Sequence, residues 1–291
     1  MRKLLSILFF ALLFVETSLA LSITRRAVLP EFTDFHFYSV NLPQLVYVEG
    51  GSFDMGGADG ESDERPLHRV TVDEYYIGAY EVTQGLWYDV MGQNPSYFQG
   101  SRSAYSTSWR ELPVENVSWN DCQAFLDRLN SLRSTLLPAD VQNWTFRFPT
   151  EAEWEYAARG GRNSRNTYSG SNNIDEAAWY RDNSGRGLSA GYNSDHIQTH
   201  PVGTKRGCPL GSAYVYDMTG NVWEWCLDWY DSSYYSRSPQ RNPCNTVSAS
   251  DRVRRGGCWG DRAQYCRVAN RDYNSPDNRG NYNGMRLVLA P

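Results

Sequence analysis

Histidine is scarce in this chain of 291 residues, with only four in all, and His68, His196 and His200 show no zinc-ligand spacing. A catalytic metal held by histidines is therefore not expected. No G-x-S-x-G elbow, phosphate-binding loop or dinucleotide fingerprint occurs, which removes the enzyme classes that carry those motifs. Cys208 and Cys244 have no C-x-x-C partner. Charge of one sign is also lacking: the net value is −5, without a charged block, so a nucleic-acid partner is not expected. The apolar run at residues 4–15 falls short of the ~20 residues that a membrane-spanning helix needs. Internal repeats and low-complexity linkers are missing too, which makes one domain the simplest organisation.

What is present begins at the N-terminus. Arg2 and Lys3, the apolar run, and then Ser18-Leu19-Ala20 fit a secretory signal peptide cut after Ala20. The expectation is an exported protein (cell surface, periplasm or medium) with no membrane span after cleavage. In an oxidising compartment the six cysteines Cys122, Cys208, Cys226, Cys244, Cys258 and Cys266 permit disulfides. Fifteen complete pairings are open, and one or two bridges are expected. Ten Trp and twenty Tyr, with Gly and Pro spread along the chain, suit a compact loop-rich domain in which flat side chains fill irregular gaps.

Residues 21–43 read as an extended lead-in and the folded domain as 44–291. Leu45-Val46-Tyr47-Val48, Val70-Thr71-Val72 and Tyr75-Tyr76-Ile77 have strand character, and the acidic run at 59–64 reads as a surface loop. Thr83 caps a helix through Met91 that Gly92 stops. Ser118 starts a second, with Trp119, Cys122, Phe125, Leu126 and Leu129 on one face. Thr150 and Glu153 form a capping box for a third over 151–159, which buries Trp154, Ala157 and Ala158. Glu151, Glu153 and Glu155 read as a solvated, capped helix start rather than as paired catalytic carboxylates. Beyond Gly161, short strands and long polar loops are expected.

Several segments then become specific: Glu49-Gly50-Gly51-Ser52-Phe53, Tyr80-Glu81-Val82-Thr83, Pro113-Val114-Glu115-Asn116-Val117-Ser118-Trp119, Arg147-Phe148-Pro149-Thr150-Glu151-Ala152-Glu153-Trp154, Gly220-Asn221-Val222-Trp223-Glu224-Trp225, Arg254-Arg255-Gly256-Gly257 and Gly284-Met285-Arg286. In this order they resemble the formylglycine-generating enzyme (sulfatase-modifying factor) family, which implies an α+β, C-type-lectin-like fold. The resemblance also implies a structural calcium ion on Asp217 and Glu224 by side chain and on Gly220 and Val222 by main-chain carbonyl. The alternative is that Asp217 caps a turn and Glu224 pairs with an arginine. Active members bind copper through a closely spaced cysteine pair after the GG and oxidise a substrate cysteine with O₂. Here Cys258 follows Gly257 directly and Cys266 comes after seven intervening residues. Counted from Arg271 and Pro276-Asp277, the second catalytic position falls near Ala263. Neither cysteine maps onto the pair, so no copper and no catalytic residue are expected.

The segment 257–286 alternates framework-like residues (Trp259, Ala263, Cys266, Arg267, Arg271, Pro276, Arg279, Gly284) with patches of Gly, Asp, Tyr, Ser and Asn. Those patch residues lie within adenine-only changes of an asparagine codon. In this the segment resembles targets of diversity-generating retroelements, among them variable proteins of treponemal type. The ligand-binding candidates are Gly260, Asp261, Arg262, Tyr265, Asp272, Tyr273, Ser275, Gly280, Asn281 and Tyr282. Tyrosines would supply rigid amphipathic contact area, Asp, Ser and Asn polar contacts, and the glycines space. The leading expectation is a non-catalytic binder of a protein or peptide. The alternatives are a cysteine oxidase and a structural partner in a surface assembly.

Overall fold

The computed structural model describes residues 40, 42–58, 60–99, 109–161, 164–185 and 197–291. The expected signal peptide, most of the lead-in, Asp59 and His196 lie outside them. In chain order, β1 (Leu45–Val48), β2 (Gly51–Met55), β3 (His68–Val72) and β4 (Tyr75–Gly78) precede α1 (Gln84–Met91), α2 (Trp119–Ser131) and α3 (Arg133–Leu136). β5 (Thr145–Arg147), α4 (Glu151–Ala158), α5 (Ile174–Ala177), β6 (Cys208–Leu210) and β7 (Ala213–Val215) follow. β8 (Trp223–Trp229), β9 (Arg252–Arg255), β10 (Asp272–Asn274), β11 (Asn283–Gly284) and β12 (Val288–Ala290) complete the chain.

The three longer helices stand where their caps place them. Thr83 Oγ1 accepts from the Leu86 amide and Gly92 closes α1 at φ 75°. Ser118 and Asp121 make a capping box for α2, whose buried residues are the five expected. Thr150 and Glu153 make another for α4. Satisfying the first-turn amides in this way is worth about 1 kcal/mol per cap.

Two four-stranded sheets run β1-β4-β12-β5 and β10-β9-β8-β11. In the first, β12 lies between strands from much earlier in the chain, with Val288 opposite both Ile77 and Arg147. One core, including Phe53, Trp154 and Tyr156, packs α4 against β2, β3 and β9. A second, including Trp87, Phe125, Phe148 and Trp225, lies under α1 and α2.

The acidic run is not simply a surface loop. Residues 62–64 form a short 3-10 turn, and Asp63 and Glu64 are buried. Glu151 and Glu155 are likewise buried rather than solvated, for a reason that lies in the C-terminal segment. Only Glu153 keeps the expected capping role, with its carboxylate also held by Arg147.

Candidate functional site

The C-terminal segment is pinned to the rest of the domain by arginines, each pairing with a carboxylate distant in sequence. At the end of β9, Arg255 donates to Glu151 Oε1 and to Glu155 Oε2, both at 2.7 Å. Arg271 holds both oxygens of Glu151, at 2.7 and 2.9 Å. All four side chains are buried. Burial alone would raise the Glu151 carboxyl, but Arg271 and Arg255 outweigh it and hold the group at about 2. Arg267 grips Glu64 at 2.6 and 2.9 Å. Arg279 grips Asp121 at 2.6 and 2.7 Å. Bidentate guanidinium–carboxylate pairs fix direction as well as distance, so these contacts set the path of the backbone between them.

Trp259 adds a further anchor: its indole Nε1 donates to Asn281 O at 2.9 Å, and its amide to Asn221 O at 2.8 Å. At Gly284 an added Cβ would stand 2.6 Å from Val114 O, which explains a glycine there.

Between the anchors the ten candidate residues divide. Arg262, Tyr265, Tyr273 and Ser275 are exposed, Tyr265 by 38% and Tyr273 by 46%. Tyr273 lies flat on Tyr230, with ring centroids 3.9 Å apart, and Tyr230 is fixed in turn by its hydroxyl on Asp63 at 2.8 Å. Gly260, Asn281, Asp272 and Tyr282 are half-buried. Asp272 pairs with Arg254, whose guanidinium also lies over the Tyr282 ring.

Two candidates differ from expectation. Gly280 is buried rather than opening space: a Cβ there would stand 2.5 Å from the Tyr282 ring, and its carbonyl accepts the Asn116 amide. Asp261 turns inward to accept the Cys258 amide at 3.1 Å, and burial raises its carboxyl. Nothing in the sequence marked Tyr230 as a platform, because its partner Tyr273 lies on β10, far along the chain.

The residues expected around calcium are close together but engaged elsewhere. Glu224 receives Arg286 on both oxygens, at 2.6–3.1 Å, and the Trp154 indole at 2.7 Å. Asp217 accepts the Gly203 amide at 2.6 Å, and burial lifts its carboxyl to about 6. Gly220 turns at φ 79° and Val222 gives its amide to Glu81. The alternative roles, turn cap and arginine partner, are thus the ones seen. Among the described residues no group of three or more His, Cys, Asp or Glu is arranged to hold a metal. The set Asp217, Gly220, Val222 and Glu224 does not fit a calcium ion in this arrangement, since Glu224 has given its lone pairs to nitrogen donors.

Cys258 and Cys266 are buried, and burial raises both thiols, so neither is a ready thiolate for attack or for copper. His200 stacks on Trp179 at 3.7 Å and is pushed down to about 4 by burial, which makes it a neutral packing residue. No described helix is long and apolar enough to cross a membrane.

The chain is similar to known proteins in sequence and in structure. The chaperone protein LppX of Paenibacillus barcinonensis is 37% identical over 278 residues, which cover 84% of this chain and 89% of that protein. The formylglycine-generating enzyme of Streptomyces coelicolor is 30% identical over 297 residues, covering 84% of this chain and 88% of the enzyme. Among solved structures, Treponema denticola variable protein 1 is similar at a TM-score of 0.72 and 32% identity, over 88% of this chain and 99% of its own. The α+β, C-type-lectin-like fold implied by the resemblance is the one found. The family model of the sulfatase-modifying factor enzyme 1-like domain matches residues 31–291, and the chain belongs to that family.

Proposed function

We propose that this chain is an exported, non-catalytic member of its family that binds a protein or peptide through the surface of its C-terminal segment. One observation carries the reading. Arg255, Arg267, Arg271 and Arg279 pin the backbone, while Arg262, Tyr265, Tyr273 and Ser275 between them face solvent. Such a division lets the contact residues change without unfolding the domain. The similarity to a variable protein supports retroelement diversification of this segment, and the basic-apolar-small pattern at residues 2–20 supports export.

Deep sequencing of the 3′ end of the gene across its source population tests the reading. Adenine-position changes are expected to concentrate in the codons for Arg262, Tyr265, Tyr273 and Ser275, with the four pinning arginines constant. A segment as uniform as the rest of the gene would remove diversification.

The oxidase alternative is tested with a cysteine-containing sulfatase-type peptide, Cu(I) and O₂. No time-dependent loss of the peptide thiol is expected, because Cys258 and Cys266 are buried and neither stands at the positions of the family's cysteine pair. Thiol loss that Cys258→Ser abolishes would restore the enzyme. A fixed-partner role is favoured by the relative named as a chaperone, and constant co-purification with one protein would support it.

A further inference from the structure

We infer that Cys258 and Cys266 form a disulfide bond, closing the loop that carries Gly260, Asp261, Arg262 and Tyr265. Beyond β9, Gly256 and Gly257 both adopt positive φ, 101° and 79°, and turn the chain back on itself. A short 3-10 turn, Ala263–Cys266, then brings Cys266 against Gly257. A Cβ built on Gly257 would stand 2.6 Å from the Cys266 sulfur and 3.0 Å from its Cα. Only glycine fits there, and the next residue along is Cys258. Both cysteines are free thiols in this structure, and the Cys258 amide lies against the Cys266 sulfur. The loop is also folded inward on the Cys258 side, where the Gly260 amide donates to the Cys258 sulfur at 3.4 Å.

The other cysteines occupy separate elements. Cys122 is on α2, Cys208 on β6 and Cys226 on β8, and Cys244 has Asp228 beside it.

The bond forms by exchange with a small disulfide such as glutathione disulfide. In the unfolded chain, before burial raises the thiols, the thiolate of one cysteine attacks a sulfur of the reagent, breaks its S–S bond and releases one glutathione thiolate. The thiolate of the other attacks the mixed disulfide at the protein sulfur and releases the second. The protein pair loses two electrons, which reduce the reagent, and its two protons end on the two glutathione thiols. Once formed, the bond is shielded by the burial of both sulfurs. It holds the loop ends together whichever residues occupy the exposed positions between them.

Trypsin gives a direct test on the full chain. Cleavage after Arg255, Arg262 and Arg267 leaves Cys258 in peptide 256–262 and Cys266 in peptide 263–267. The protein is reduced and unfolded, refolded with glutathione disulfide, then alkylated with a maleimide in denaturant without reductant and digested. The expected result is the two peptides joined, lighter by two hydrogens than their sum, and separated by reduction. Cys258→Ser and Cys266→Ser should each free the other thiol to the maleimide and lower the Tm by several degrees. Both peptides carrying maleimide in the wild-type digest, or either cysteine joined to another, would overturn the assignment. The peptide map is independent of the recognition reading, which the population sequencing tests separately.

Discussion

Arg271→Ala is expected to lower stability by about 3 kcal/mol or more, the scale of a buried ion pair broken on one side. Arg271 is buried and holds both oxygens of Glu151, while also donating to the Asp63 carbonyl at 2.9 Å. Its removal leaves Glu151 with Arg255, which Glu155 already shares. At roughly 2–4 °C per kcal/mol, the melting temperature should fall by on the order of 10 °C. Tyr265→Ala and Tyr273→Ala, only two residues from the nearest pinning arginines, should stay within about 1 kcal/mol, mostly from the lost stack on Tyr230 in the second case. Urea unfolding of the three variants checks the contrast. Equal losses would mean that framework and contact surface are not separate, and the proposed division would fail.

Glu115→Gln is expected to stabilise the protein at pH 8 by on the order of 2 kcal/mol and to leave it nearly unchanged at pH 4. Glu115 Oε1 accepts the Phe98 amide at 2.7 Å, while Oε2 is buried and has no hydrogen-bond partner among the described residues. Burial pushes the carboxyl up to about 8. The folded state therefore keeps its proton while the unfolded state, ordinary in pKa, loses it above about 4.5. Because the folded pKa is raised, stability falls as pH rises from about 4.5 to 8. Gln keeps the acceptor for Phe98 and cannot ionise, so the alkaline fall should flatten. Asp228, raised to about 7 by burial and by Glu151, adds a fall of the same sign. Glu151 acts oppositely: its folded pKa is depressed, so its contribution is present above about 4.5 and fades as pH drops toward 2. Melting temperature against pH for wild type and Glu115→Gln reads out the effect, and parallel curves would exclude Glu115 as the source.

The helices were legible because their signals are local. Thr83, Ser118 and Thr150 each cap within three residues, and the apolar face of α2 recurs at helical spacing. The fates of Glu151 and Glu155 were not legible, because Arg255 and Arg271 lie 100 or more residues away and only Arg159, which also holds Glu155, is near in sequence. A carboxylate in the first turn of a helix reads as solvated unless a distant arginine is known to reach it. The short strands β6 to β11 were foreseen only as a class, since a two-residue strand such as β11 is defined by its neighbour Trp223-Glu224 rather than by its own residues. Within the candidate surface, residue type located the segment, but backbone direction decided exposure. Gly280 and Asp261 carry the same chemistry as their neighbours and point inward.

The position of β12 between β4 and β5 bears on which altered chains can fold at all. Residues 288–290 are translated after the whole of 257–286, and without them two strands from the first half of the chain have no common neighbour. An insertion or deletion that shifts the reading frame within 257–286 therefore also erases the strand that joins β4 to β5. Such products fail to fold and are open to proteolysis. In-frame exchanges at exposed positions keep β12 and pass. The sheet thus makes folding conditional on the message having been read in frame to its far side.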